Sequence, residues 1–183
     1  MTGRMTPLLE YHEQFARTIT QVPLGVPAAQ VIVITCLDHR VDPAIVLGLQ
    51  LGDAPVLRNA GGRFTQAVIE EIAYLAYLGR RLAGGTRTGD AGVEVAVIHH
   101  NQCGTGFLDD PDFRREASQV TGVDEDTLHA SAVADPATTV TADVERLLSS
   151  PLLPATISVS GHVYDPDTGR VSTVVEVRQP ATR

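Results

Sequence analysis

The only two cysteines of this 183-residue chain lie in two short stretches, Cys36-Leu37-Asp38-His39-Arg40 and His100-Asn101-Gln102-Cys103, beside histidine, carboxylate and guanidinium groups. Zinc prefers thiolate and imidazole ligands in tetrahedral geometry, and a catalytic site keeps three protein ligands with one position open. Cys36, His100 and Cys103 make such a set, for one zinc ion per chain. A structural zinc would want a fourth permanent ligand, and the chain has no third cysteine. His39 or His99 could serve, but each is adjacent to or near a better-placed ligand and would need awkward geometry, and Asp38 is the more interesting candidate for the fourth position. Arg40 offers Asp38 a different partner, because an arginine fork keeps a carboxylate ionised and oriented. Held on Arg40, Asp38 can accept a hydrogen bond from water at an open zinc position, whose pKa the metal lowers. Released, it can bind the zinc itself. Rising pH should favour the open arrangement, because hydroxide then competes with the carboxylate.

These groups meet only if the elements that carry them are neighbours. Val31-Ile32-Val33-Ile34-Thr35 is a continuous β-branched run, the pattern of a strand buried on both faces of a parallel sheet. It ends at Cys36. A second such run, Val93 to Ile98, leads into His99-His100. Between them, Asp42-Pro43 reads as a helix start for Ile45, Val46 and Leu49 before Gly52. Pro55 to Arg58 is a short strand that ends in Asn59-Ala60-Gly61-Gly62, a turn whose glycines permit positive φ. Thr65 caps a long helix with apolar residues at Val68, Ile69, Ile72, Leu75, Ala76 and Leu82.

Residues 84–92 hold four glycines and read as a surface loop. Short helices and loops are expected from Gly104 to Ala137, where acids gather as a solvated surface. Another helix is expected over 138–149. Ile157–Tyr164 and Arg170–Val177 flank Asp165-Pro166-Asp167-Thr168-Gly169, a hairpin signal. Residues 7–20 form a partial amphipathic helix that needs something to lie on.

The expected fold is α/β: a mainly parallel central sheet flanked by helices, with a C-terminal β-hairpin and an N-terminal helical arm. The arm spans 1–27, and a single α/β zinc-binding domain spans 28–183. In such sheets sites form beyond the carboxyl ends of strands, near a reversal of strand order. Cys36 and His100 stand at that place if their strands are adjacent.

Apolar residues make up 43% of the chain, enough for a core, and the net charge is −8 without a basic tract. That speaks against nucleic acid or an anionic membrane as partner. No apolar run approaches the ~18 residues that span a bilayer, and the N-terminus lacks the apolar segment of a signal peptide. Two cysteines are too few for a disulfide framework and stay thiols in a reducing cytosol. A cytoplasmic protein is expected.

Cys36-x-Asp38-x-Arg40, Arg58-Asn59-Ala60-Gly61 and His100-x-x-Cys103-Gly104, in that order, resemble the β-class carbonic anhydrase family, as does the terminal Gly161-x-x-Tyr164-Asp165-x-x-Thr168-Gly169 hairpin. The resemblance runs from about residue 28 to 177. It implies zinc on Cys36, His100 and Cys103, with Asp38–Arg40 as the catalytic dyad. It implies reversible hydration of carbon dioxide to bicarbonate and a proton, by zinc-bound hydroxide that the dyad positions. It also implies a homodimer or higher even oligomer in which the N-terminal helix embraces the partner. In some members the counterpart of Asp38 takes the fourth zinc position.

Other readings stand beside this one. Relatives on the same scaffold hydrolyse carbonyl sulfide or carbon disulfide. A non-catalytic zinc or redox-responsive module would have Asp38 closing the site permanently, or Cys36 and Cys103 sensing oxidation. Among the other histidines, His39 and His99 are expected near the site or facing solvent. His12, His129 and His162 are read as surface or packing residues. His162 alternates with Ser158 and Ser160 on a face expected to be polar and exposed.

Overall fold

The computed structural model describes residues 3–84 and 92–181. In chain order these form α1 (Thr6–Thr18), β1 (Val31–Cys36), α2 (Pro43–Val46), β2 (Val56–Asn59), α3 (Gln66–Leu82), β3 (Glu94–His100), α4 (Pro111–Thr121), α5 (Glu125–Ala130), α6 (Pro136–Ser149), β4 (Ser158–Asp165) and β5 (Arg170–Arg178). Short 3-10 turns cover Ala60–Gly62 and Gly104–Asp109.

The strands make one five-stranded sheet in the order β2-β1-β3-β4-β5. β2, β1, β3 and β4 run parallel, and β5 returns antiparallel as the second arm of the terminal hairpin. The mainly parallel α/β architecture expected from the alternating pattern is therefore present. From β1 the chain first goes out to β2 and then crosses back to β3 on the other side. The strand order thus reverses between β1 and β3, where a parallel sheet opens a crevice at its carboxyl edge. Thr35 ties the two strands together there by donating its hydroxyl to the Ile98 carbonyl at 2.7 Å.

One face of the sheet carries the main core. Ile32, Ile34, Val95, Val97 and Val159 pack against Phe64, Val68, Ile69 and Ile72 around α3 and against Val140, Val144 and Leu147 of α6. Each such side chain, fully buried, contributes about 1.5–3 kcal/mol. The opposite face has a smaller cluster of Val33, Val41, Ile98 and Tyr164, with Val46, Leu49 and Ala54 packed on it. No residue of α1 is buried.

Several expectations are sharpened or corrected. Asp42 caps α2 by accepting from the Ala44 N–H, yet the helix stops at Val46, because Gly48 turns the chain at φ 69°. Leu49 reaches its cluster from a loop, and Ile45 is exposed. β3 continues through His99 and His100 instead of ending before them. Among the acids expected on a solvated surface, Asp110 and Asp124 cap the N-termini of α4 and α5, and Asp135 does the same for α6. Their carboxylates accept first-turn N–H groups that otherwise lack partners.

His162 does not face open solvent. It lies between Ser160, 2.8 Å from Nε2, and Thr173, 3.2 Å from Nδ1, and fully buried Ser160 also donates to Glu94. Most of the glycine-rich loop expected over 84–92 falls outside the described residues.

Candidate metal centre

Cys36 is the last residue of β1 and His100 the last of β3, and these strands pair directly. Cys103 follows His100 by three residues and opens the 3-10 turn that starts at Gly104. The ligand atoms of Cys36, His100 and Cys103 all lie within 4.8 Å of one another, and all three residues are buried. The two stretches that carry the cysteines thus converge at the strand-order reversal.

The donor chemistry fits zinc. The sulfurs are 3.8 Å apart. Two thiolates at the usual Zn–S length of about 2.3 Å on a tetrahedral ion stand about 3.8 Å from each other. The His100 Nδ1 lies 2.9 Å from the Asn101 carbonyl, which can only accept, so Nδ1 carries the proton. Nε2 is then left with its lone pair, buried and without a hydrogen-bond partner. An orphaned imidazole nitrogen facing two thiols is costly unless a cation takes it. The hydrogen bond with Cys103, then burial, pushes the Cys36 thiol up to about 12. The same bond, helped by the Thr105 hydroxyl at 3.1 Å from the Cys103 sulfur, pulls Cys103 down to about 6.

Asp38 stands beside this cluster, not in it. Its Oδ2 is 4.0 Å from His100 Nε2 and 2.7 Å from Arg40 Nη2, while Oδ1 accepts from Arg40 Nε at 3.0 Å and from the Arg40 backbone N–H at 2.9 Å. The Arg40 fork holds the Asp38 carboxyl well below the usual carboxylate range, against the effect of burial. Arg58 fixes the backbone of the same stretch by donating to the Cys36 carbonyl at 3.0 Å and to the Asp38 carbonyl at 2.7 Å. Cys36, Leu37, Asp38, His39, Gly104 and Thr105 line a cavity of about 380 Å³. A larger cavity near the end of α1, of about 630 Å³, has no cysteine or histidine in its wall.

Beneath the cluster lies a network that sequence reading missed. Arg63 makes a bidentate pair with Asp143 of α6, Nε to Oδ2 at 2.7 Å and Nη2 to Oδ1 at 3.2 Å. Its Nη1 donates to the Ala132 carbonyl at 2.6 Å, next to Val133, which shares a buried cluster with the two cysteines. Asn59 clasps the Arg63 backbone, donating to its carbonyl and accepting its N–H, each at 2.8 Å. Gly62, at φ 68°, lies so close to β1 that a Cβ would fall 2.9 Å from the Thr35 carbonyl carbon. Only glycine permits that approach. Burial pushes Asp143 up, but the hydrogen bonds from His99 and Arg63 outweigh it and leave its carboxyl lowered. His99 is therefore interior, its Nε2 3.3 Å from both Asp143 and the Gly62 carbonyl. The available signal was Asp143 itself, an acid among the apolar positions Val140, Val144 and Leu147.

Known proteins are similar to this chain in sequence and fold. The family model described as carbonic anhydrase matches residues 31–171. β-carbonic anhydrase 1 of Mycobacterium tuberculosis is 31% identical over 148 residues, covering 81% of this chain and 83% of that protein. Carbon disulfide hydrolase of an Acidianus species is 28% identical over 162 residues, covering 76% and 74%. The crystal structure of carbonic anhydrase from Streptococcus mutans superposes with a TM-score of 0.77 at 32% identity, over 95% of this chain and 99% of that one. Matched across most of its length, and with its two cysteine-bearing stretches meeting at the sheet edge, the chain belongs to the β-carbonic anhydrase family.

Proposed function

We propose that this chain catalyses the reversible hydration of carbon dioxide to bicarbonate and a proton, with zinc held by Cys36, His100 and Cys103. The observation that carries the reading is the buried, unpartnered His100 Nε2 facing two thiols, beside a carboxylate fixed by arginine. Bound there, zinc supplies Lewis acidity and makes a water-derived nucleophile accessible near neutral pH.

The chain's own groups do the rest. Ionised Asp38 has no proton to donate, so it can only accept a hydrogen bond from the attacking oxygen. That fixes the direction of the O–H and leaves a lone pair free for the carbon. Arg40 keeps the carboxylate ionised and aimed, at the 2.7 and 3.0 Å contacts described. Arg58 keeps the Cys36–Asp38 backbone from shifting as charge builds. Leu37 gives the cavity an apolar wall that suits a small linear substrate without charge.

Hydrolysis of carbon disulfide is a second reading, favoured by the similarity to the Acidianus hydrolase. The same attack on the same kind of linear molecule would release hydrogen sulfide. Sulfide release faster than carbon dioxide hydration would select it.

The proposal extends to assembly as a homodimer or higher even oligomer in the cytoplasm, with residues 1–27 as an arm on the domain of 28–183. Leu8, Leu9, Tyr11 and Phe15 of α1 are exposed apolar residues that a partner could cover. No helix among the described residues is long and apolar enough to cross a membrane.

Metal analysis with stopped-flow hydration tests the site. Cys36→Ala should lose both zinc and turnover, whereas Asp38→Ala should keep zinc and lose at least about 100-fold in rate. Full hydration activity in Asp38→Ala would contradict the role given to this carboxylate.

A further inference from the structure

Arg40 has more N–H groups than Asp38 uses, and the structure gives the remainder a destination. Its Nη2 also donates to the Gln102 backbone carbonyl at 2.9 Å, and its Nη1 faces the Gln102 side-chain oxygen at 3.5 Å. Gln102 adopts φ 55°, one of two non-glycine residues with positive φ among the described residues. A left-handed residue without glycine's freedom is a site of strain that the surroundings must hold. Here the turn aims the Gln102 carbonyl at Arg40. The side-chain amide of Gln102 in turn donates to Asp167 Oδ2 at 2.5 Å, in the turn between β4 and β5. Because a carboxylate can only accept, this contact sets the amide with its nitrogen on Asp167 and its oxygen towards Arg40. The hairpin turn is itself braced: Asp165 accepts from the Asp167 N–H at 3.1 Å and from the Thr168 hydroxyl at 2.8 Å, and Asn101 donates its N–H to the Tyr164 carbonyl at 2.9 Å.

We infer that Gln102 and Asp167 are positioning residues that hold Arg40 in place and so keep the Asp38 carboxylate on the arginine. The inference rests on the metal reading above. Asp38 lies 4.0 Å from His100 Nε2, at the rim of the donor set. If Arg40 swings away, a metal on Cys36, His100 and Cys103 would be a cation within reach of this carboxylate, and Asp38 on that metal would occupy the position that an external ligand needs. The terminal hairpin thus acts on the site through three side chains, Asp167 to Gln102 to Arg40, without touching substrate.

The test uses full-length protein loaded with cobalt(II) in place of zinc and titrated with azide at one neutral pH, followed by absorption. The apparent affinity of an external ligand falls by the fraction of molecules whose site is open. Asp167→Ala and Gln102→Ala should each weaken azide binding about tenfold as the carboxylate takes the position in most molecules. Asp167→Glu should restore most of the affinity. The thiolate-to-cobalt bands should keep their intensity throughout, because no cysteine is disturbed, and melting temperatures should stay near wild type, because Gln102 and Asp167 are exposed. Azide affinities in both variants equal to wild type, in a wild-type protein that turns over carbon dioxide, would overturn the latch and leave the catalytic reading standing. Absence of thiolate-to-cobalt bands in wild type would overturn the metal reading and the latch with it.

Discussion

The Asp38–Arg40 and Arg63–Asp143 pairs are both bidentate, with contacts of 3.0 and 2.7 Å in the first and 2.7 and 3.2 Å in the second. Solvent separates them. The side chains of Arg63 and Asp143 are 18% and 2% exposed, whereas those of Arg40 and Asp38 are 38% and 13% exposed. In the buried pair neither ion can leave without stranding the other in a low dielectric. It can only fix geometry, and it does so at the Gly61–Gly62 turn and at Val133, behind the cysteines. In the outer pair Arg40 reaches water, so parting it from Asp38 strands no arginine in the interior, and what holds it there is its contacts with Asp38 and Gln102. The same two residue types thus build a buried wall on one side of the donor set and a pair that reaches solvent on the other.

The largest effect that could break this comparison is on stability. Asp143→Ala leaves Arg63 buried without its counter-ion and should cost about 3–5 kcal/mol in urea unfolding. A loss under about 1 kcal/mol would mean that the buried pair relaxes as readily as the outer one. Asp38→Asn should show the opposite profile. Hydration should drop about 100-fold or more, because the amide donates where an acceptor is needed, while unfolding free energy changes by only about 1 kcal/mol or less.

The smallest effect is on pH dependence. Both carboxyls are held below their ordinary values when folded, so each contributes stability that is present above the unfolded value of about 4 and is lost as pH falls through the folded one. The urea midpoint should therefore hold from neutrality down to about pH 4 and decline below it. Asp143→Asn should flatten that acid decline. An unchanged decline would show that Asp143 is not among the groups responsible.

The contrast also explains what could be read from sequence. Asp38 and Arg40 are two positions apart on one loop, and Cys36 and His100 follow continuous β-branched runs, so local pattern and fold logic placed all four. The terminal hairpin was legible for the same reason, from Asp165 to Gly169 between two strand-like runs. Arg63 and Asp143 are 80 positions apart. Nothing local links an arginine after a glycine turn to an acid on α6, and the pairing exists only once α6 packs on the sheet. His99 was read as a residue near the site or facing solvent. β3 carries it onto the face covered by α3 and α6, where Asp143 waits for it. The acids between 109 and 126 looked like solvated surface because a capping carboxylate and a free one have the same composition. Only the backbone distinguishes them. The short α2 shows the limit of apolar spacing, since Ile45, Val46 and Leu49 suggest a longer helix than Gly48 allows.

The most direct test of the account is stopped-flow carbon dioxide hydration by zinc-loaded protein of measured metal content, from about pH 6 to about pH 9. The account predicts about one zinc per chain and turnover that rises towards alkaline pH as the nucleophile forms. A protein that carries its zinc on Cys36, His100 and Cys103 yet hydrates carbon dioxide at no pH in that range would contradict it.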